Sequence, residues 1–127
     1  MRKSGLTSVM FGVESGSQRM LDFIKKDLKL ESIYASARAL AKMGITGGYS
    51  FMYGLPGETR EDLMLTIELN RKINPDSVVV NAFRPYSGTK LRKICIDKGL
   101  IPKEERAEDN RVYGAFDNGI LTSQELE

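Results

Sequence analysis

Three times along this chain a short apolar run ends in a turn of small residues and gives way to a helical pattern. The clearest instance is residues 47–59, GGYSFMYGLPGET. Residues 49–53 are aromatic and apolar apart from Ser50, long enough for one strand and too short for a helix. Gly54-Leu55-Pro56-Gly57 can continue neither element. Thr59 then stands as an N-cap with Asp62 three residues on, a box-like helix start. Strand, glycine-rich turn and capped helix make one β-turn-α unit, and in parallel α/β folds ligands sit at the turn that follows the strand.

The same grammar recurs on either side. Residues 8–13, SVMFGV, predict a strand that leads into Glu14-Ser15-Gly16-Ser17. Ser15 and Gln18 have capping-box spacing, and Met20, Leu21 and Ile24 give a helical apolar face up to Lys25-Lys26. A second helix begins near Leu30, with Leu30, Ile33, Ala37, Leu40 and Ala41 forming an amphipathic stripe. Gly44 closes it, with Lys42 in the last turn. The strand over 46–53 is followed by a helix over 60–72 whose inward residues are Leu63, Ile67 and Ile73. Asn74-Pro75-Asp76 is a turn. Residues 77–83, SVVVNAF, predict the third strand, with Val78-Val79-Val80 buried on both faces as in parallel sheets. Arg84-Pro85-Tyr86-Ser87-Gly88 is the third post-strand turn, and Thr89 caps a helix running through Lys98 to Gly99.

These units predict an α/β fold: three β-α units of parallel sheet with right-handed crossovers, half of a six-stranded partial barrel. Both sheet edges would be open and invite self-association. The half-barrel occupies residues 1–99, and residues 100–127 are a charged tail leading into a truncated helix. Gly5 looks like the stop of a helix tail over residues 1–4, while Thr122 and Glu125 open a helix at the other end. Two broken helices suggest a piece of a longer protein; disordered termini are the plainer alternative.

Composition narrows the function classes. The chain has 127 residues, 41% apolar and 28% charged, as expected of one globular domain. A net charge of +2 gives no electrostatic case for nucleic acid or a membrane surface. No apolar run approaches the ~20 residues of a membrane span, and the first residues carry no secretory signal. One cysteine, Cys95, excludes an internal disulfide and points to a reducing, cytoplasmic setting. With no histidine and one cysteine, the chain lacks the ligands for a zinc or iron–sulfur site.

GVESGSQ (12–18), SFMYGLPGET (50–59) and FRPYSGTKL (83–91), in that order at strand ends, resemble the C-terminal half of the radical S-adenosylmethionine (SAM) superfamily core. They are most similar to its cobalamin-binding branch, which includes anaerobic magnesium-protoporphyrin IX monomethyl ester cyclase-like proteins. The resemblance covers roughly residues 5–98. It implies a (β/α)6 partial barrel that binds a 4Fe–4S cluster and SAM, with cobalamin, where used, held by a separate domain. In that family the cluster reductively cleaves SAM to a 5′-deoxyadenosyl radical. The cluster ligands lie in a Cys-x3-Cys-x2-Cys loop after the first strand, a loop this chain does not contain. Cys95, at helical spacing with Leu91 and Ile94, reads as core.

The resemblance also implies which residues meet SAM. Glu14 matches the polar residue that reaches the SAM ribose, a role suited to a carboxylate because it accepts two hydrogen bonds; a helix-start carboxylate is the plainer role. Ser15 follows it in the same turn. Lys26 falls where relatives place a cation against the SAM carboxylate, or is simply a solvated lysine. Ser50 stands where some relatives carry an acid that contacts the nucleoside. Gly54 and Gly57 let the backbone approach the adenosyl group, though turn chemistry alone would also require them, and Pro56 adds a residue relative to the family pattern. Glu58 favours the helix N-terminus. Arg84 and Tyr86 line the adenine or substrate side, with core packing an equal alternative for Tyr86.

The chain is therefore expected to be the SAM-binding half of a radical SAM oxidoreductase, inactive as a fragment, whose intact parent acts on a small molecule. The alternative is a non-catalytic interaction or scaffold domain that keeps the half-barrel shape. A phosphate-binding domain built on residues 54–57 is disfavoured, since neither a Walker lysine nor G-x-G-x-x-G is present.

Overall fold

The computed structural model describes residues 5–101. In order, they form β1 (Ser8–Glu14), α1 (Gln18–Phe23), α2 (Leu30–Met43), β2 (Thr46–Tyr53), α3 (Arg60–Ile73), β3 (Ser77–Ala82) and α4 (Lys90–Asp97). The strands make one parallel sheet in the order β1-β2-β3. β1 pairs with β2 from Ser8–Thr46 to Gly12–Ser50. At the start of β3, Asp76 clamps β2: its N–H donates to Gly47 O at 3.0 Å and its Oδ2 accepts the Gly47 N–H at 2.7 Å. The predicted α/β class and three-stranded parallel sheet are thus present. No helix among the described residues is long and apolar enough to cross a membrane.

The described residues divide into two compact units, one joining 5–53 with 60–81, the other 54–59 with 82–101. The first has its core where Val13, Tyr49 and Phe51 of the sheet meet Ile33 of α2 and Leu69 of α3. Alternation along β2 explains this: Tyr49 and Phe51 share one face, while Gly48 and Ser50 share the other. Phe11 and Tyr49 are register partners, and their rings stack with centroids 5.5 Å apart, worth about 0.5–1.5 kcal/mol beyond area burial. Burial, then the nearby Asp76 carboxylate, pushes the Tyr49 phenol above its usual pKa. In the second unit, Cys95 and Ile101 are buried together with Phe83, Ile96 and Leu100 packed on them, so Cys95 is a core residue as expected.

Helix ends follow their sequence signals in most places. Gly44 is left-handed (φ 62°) and closes α2, and Thr89 caps α4 by accepting the Arg92 N–H. Three expectations are corrected. The N-cap of α1 is Ser17, which accepts the Met20 N–H. Ser15 Oγ instead accepts the Ser17 N–H at 3.1 Å, while Gln18 reaches forward to donate to Asp22 and Leu28 O. The inner face of α3 carries Asp62, Thr66, Leu69 and Ile73, and Ile67 is 50% exposed; two polar residues lie inward because they meet the turn after β1. Finally, β3 is the sheet's last strand, and Val78, Val79 and Val80 are 39%, 43% and 58% exposed. The expected helix tail before Gly5, the charged tail and the Thr122–Glu125 box lie outside the described residues.

Candidate functional site

The ladder between β1 and β2 is irregular at its C-terminal end. Gly12 pairs with Ser50 and Glu14 with Phe51, so β1 advances two residues where β2 advances one, a β-bulge. Glu14 is left-handed, with φ 74°, a conformation that costs a non-glycine residue about 1–3 kcal/mol and persists only where its surroundings impose it. The outcome is a convergence over Gly12. A Cβ placed on that glycine would lie 3.0 Å from Glu14 Oε1, 3.4 Å from Lys26 Nζ and 3.8 Å from Ser50 Oγ.

Each side chain reaches this spot by a separate route. Glu14 is aimed by the bulge. Lys26 sits between two left-handed residues, Lys25 (φ 56°) and Asp27 (φ 49°), where the chain reverses after the short helix α1. Ser50 faces Gly12 across the ladder, its Oγ donating to Phe11 O at the long distance of 3.5 Å. Lys26 Nζ donates to Glu14 Oε1 at 2.9 Å, and the two side chains are 34% and 20% exposed. An ion pair this accessible to water is worth about 0–1 kcal/mol. Beside it lies a cavity of about 180 Å³ lined by Phe11, Gly12, Lys26, Leu28, Ile33 and Tyr49 among others. A carboxylate, an ammonium and a hydroxyl thus surround bare backbone next to an apolar hollow, an arrangement suited to a small zwitterionic or polyhydroxylated ligand.

Ser15, the neighbour of Glu14, points elsewhere. It is fully buried, and its hydroxyl lies 3.4 Å from Thr66 Oγ1 of α3. Gly16 N–H donates to Thr66 Oγ1 at 2.8 Å, and Ser17 Oγ donates to Asp62 Oδ1 at 2.6 Å. The Arg19 guanidinium donates to the other Asp62 oxygen. Ser15 is therefore part of the joint between this turn and α3.

Gly54, Gly57, Arg84 and Tyr86 belong to the second unit. Gly54 (φ 80°) and Gly57 (φ 77°) are left-handed. A Cβ on Gly54 would meet nothing within 4 Å, so within the protein it is the backbone angle that calls for glycine there. Glu58, read from sequence as a helix-start carboxylate, is buried, and its Oε2 accepts the Gly54 N–H at 2.7 Å. Arg84 is half-buried, and Tyr86 is 54% exposed. Their turn is held by Arg92, whose guanidinium donates to Pro85 O at 3.0 Å, and by Thr89 Oγ1 donating to Tyr86 O at 2.8 Å. Sequence reasoning missed Gly12 as the floor of the first site and Arg92 as the brace of this turn. Only the Gly12–Ser50 register could have revealed the first, and nothing local in the sequence signals the second.

Among the described residues no group of three histidine, cysteine, aspartate or glutamate side chains is placed to hold a metal ion. Burial pushes the Cys95 thiol pKa upward, against the opposing pull of Arg92 and Lys98. A buried thiol that holds its proton is a poor metal ligand.

Comparison with known proteins gives a consistent picture. The model of the Radical SAM superfamily matches residues 1–69, more than half of the chain. An uncharacterized methyltransferase of Pyrococcus horikoshii is 34% identical over 101 residues, 80% of this chain and 22% of that protein. The anaerobic magnesium-protoporphyrin IX monomethyl ester cyclase of Rubrivivax gelatinosus is 32% identical over 97 residues, 76% of this chain and 18% of that protein. Coproporphyrinogen III oxidase from Escherichia coli, a radical SAM enzyme, matches in structure with a TM-score of 0.61 at 23% identity, over 65% of this chain and 19% of that one. That last likeness is one of fold. The chain spans about a fifth of the length of these curated relatives.

Proposed function

The chain belongs to the radical SAM superfamily, and from that premise we propose that it supplies SAM-binding side chains to a larger radical SAM enzyme acting on a small molecule. The observation that carries this reading is the convergence of Glu14, Lys26 and Ser50 over Gly12. SAM presents a ribose diol and an amino-acid carboxylate. Glu14 can accept hydrogen bonds from both hydroxyls of a diol, and Lys26 can hold a carboxylate as a point charge. The two side chains pair with each other, which partly neutralises both. Because that pair is exposed and weak, a ligand bearing its own hydroxyls and carboxylate can replace it at little cost. Ser50 offers a hydroxyl from the next strand, and bare Gly12 leaves room between them.

When bound in this superfamily, SAM supplies radical chemistry initiated at a 4Fe–4S cluster. The residues described here do not fit such a cluster, because the chain's one cysteine is enclosed in the core of the second unit. Cluster binding is accordingly assigned to the remainder of the enzyme. Gly54, Gly57, Arg84 and Tyr86 are proposed as further contacts on the strength of the family resemblance, and identity to the protoporphyrin ester cyclase supports a cyclase-like reaction in the parent.

Calorimetric titration of SAM into the intact, cluster-loaded parent tests the reading. A hydrogen bond to a charged group contributes about 1.5–3 kcal/mol, so Glu14→Ala is expected to weaken binding about ten- to a hundredfold. Lys26→Ala is expected to matter less, with an effect that grows as salt is lowered. If folded, cluster-loaded Glu14→Ala binds SAM as tightly as the unaltered protein, the reading fails at its strongest residue.

A further inference from the structure

We propose that Thr66 and Asp62, one helix away from the ligand-facing side chains, are positioning residues for Glu14. The observation behind this is that a strained residue sits directly before a turn with no freedom to move. Glu14 is left-handed, a state that reverts to extended backbone unless both flanks prevent it. On its N-terminal side the ladder fixes Gly12 opposite Ser50. On its C-terminal side Ser15, Gly16 and Ser17 are all buried, and α3 anchors them through Thr66 and Asp62.

Those anchors are specific. Thr66 Oγ1 donates its one proton back to Asp62 O at 3.1 Å, so towards the turn it acts as an acceptor, and the Gly16 N–H donates to it at 2.8 Å. Ser15 Oγ, 3.4 Å away, must then be the donor of the pair. Asp62 accepts Ser17 Oγ on one oxygen and the Arg19 guanidinium on the other. Sliding is blocked as well, since a Cβ on Gly16 would stand 2.5 Å from both Leu65 O and Thr66 Cα. Residues 13–15 must therefore span two fixed points, Gly12 and Gly16, and the left-handed turn at Glu14 carries its carboxylate back over Gly12. Without the α3 anchors, Glu14 would relax to extended backbone and its carboxylate would leave Lys26.

The consequence for ligand affinity rests on the SAM-binding reading above; the consequence for Glu14 does not. The backbone 13Cα and 13Cβ NMR shifts of Glu14 separate left-handed from extended conformation and need no ligand. Thr66→Val keeps the branched shape and removes the acceptor, Thr66→Ser keeps the hydroxyl, and Asp62→Asn keeps the outline while removing the charge. In the 127-residue chain, Thr66→Val and Asp62→Asn are expected to move the Glu14 shifts towards extended values, and Thr66→Ser to leave them. In the parent, Thr66→Val is expected to weaken SAM binding about tenfold, with Thr66→Ser near the unaltered value. The proposal is overturned if Glu14 keeps left-handed shifts in either folded variant, Thr66→Val or Asp62→Asn. Should the shifts move while SAM affinity stays constant, positioning stands and the SAM-binding reading is what fails. Should Glu14→Ala weaken SAM binding while Thr66→Val changes neither shifts nor affinity, the failure is the reverse.

Discussion

Glu58 Oε2 accepts the Gly54 N–H at 2.7 Å, tying the last residue of a five-residue turn to its first. The Glu58 N–H also donates to Leu55 O at 3.0 Å, so the turn is closed by its own atoms. Charge-assisted bonds of this kind contribute about 1.5–3 kcal/mol. Glu58→Ala is accordingly expected to lower the unfolding free energy by about that amount, and Glu58→Gln, which retains an acceptor, by less. Urea denaturation of the two variants measures both, and equal losses would show that acceptance by the Gly54 amide is not what matters.

Two glycines are required for different reasons. At Gly16 an added Cβ meets backbone at 2.5 Å, and overpacking of this kind costs about 1–3 kcal/mol. At Gly54 the added atom meets nothing, and only the positive φ of 80° resists substitution. Asparagine tolerates left-handed backbone better than alanine. Gly54→Asn should therefore be milder than Gly54→Ala, whereas at position 16 asparagine should be at least as damaging as alanine. Thermal unfolding of the four variants gives the comparison.

Burial raises the pKa of both the Cys95 thiol, ordinarily 9.0, and the Tyr49 phenol, ordinarily 10.0. In each case folding favours the neutral, protonated form. The unfolded chain loses these protons first as pH rises, so their stabilising contribution is full below pH 9.0 for Cys95 and below 10.0 for Tyr49. It fades as pH climbs through the raised folded values. Unfolding free energy measured up the alkaline range should fall, and Cys95→Ala should remove the earlier part of that fall. Iodoacetamide at mildly alkaline pH should label Cys95 in urea far faster than in the native protein.

The valines of β3 and the outer face of α3 bring apolar side chains to the surface, with Met64, Leu65 and Ile67 between 45% and 55% exposed. Strand edges and apolar faces of this kind promote association. Sedimentation velocity on the 127-residue chain is expected to show dimers or larger species at micromolar concentration, and Val80→Lys to raise the monomer fraction. A strictly monomeric unaltered chain would count against the idea.

One buried cysteine cannot assemble a cluster. After anaerobic iron–sulfur reconstitution this polypeptide alone is therefore expected to release no 5′-deoxyadenosine from SAM under reducing conditions. Stoichiometric product, measured by mass spectrometry, would refute this.

What the sequence revealed and what it hid follow a physical divide. The strands, their parallel order and the caps at Gly44 and Thr89 were legible because period, turn chemistry and capping are local. Glu14, Lys26 and Ser50 were singled out by the family resemblance, among others, and the structure gathers those three over Gly12. The inward face of α3 was legible at Ile73 but not at Asp62 and Thr66. Leu63 and Ile67 look like core residues by hydropathy, yet Asp62 and Thr66 turn inward because a partner more than forty residues away needs a carboxylate and a hydroxyl. For the same reason Ser17 and not Ser15 caps α1, since Ser15 is engaged by Thr66. The exposure of Val78–Val80 was hidden too, because an apolar run records what a strand can bury and not what lies against it.

The stretch between Gly12 and Gly16 is pinned at both ends, by a strand register on one side and by contact with a helix backbone on the other. Its length is therefore a fixed dimension of the protein. A surface loop absorbs an inserted or deleted residue at small entropic cost. Here a single residue lost would pull the bulge straight, and a single residue gained would have no space beside Thr66. Substitutions along these few positions can be graded by chemistry, but a change in their number would be all-or-nothing, making this short segment a ruler for the distance between the sheet and α3.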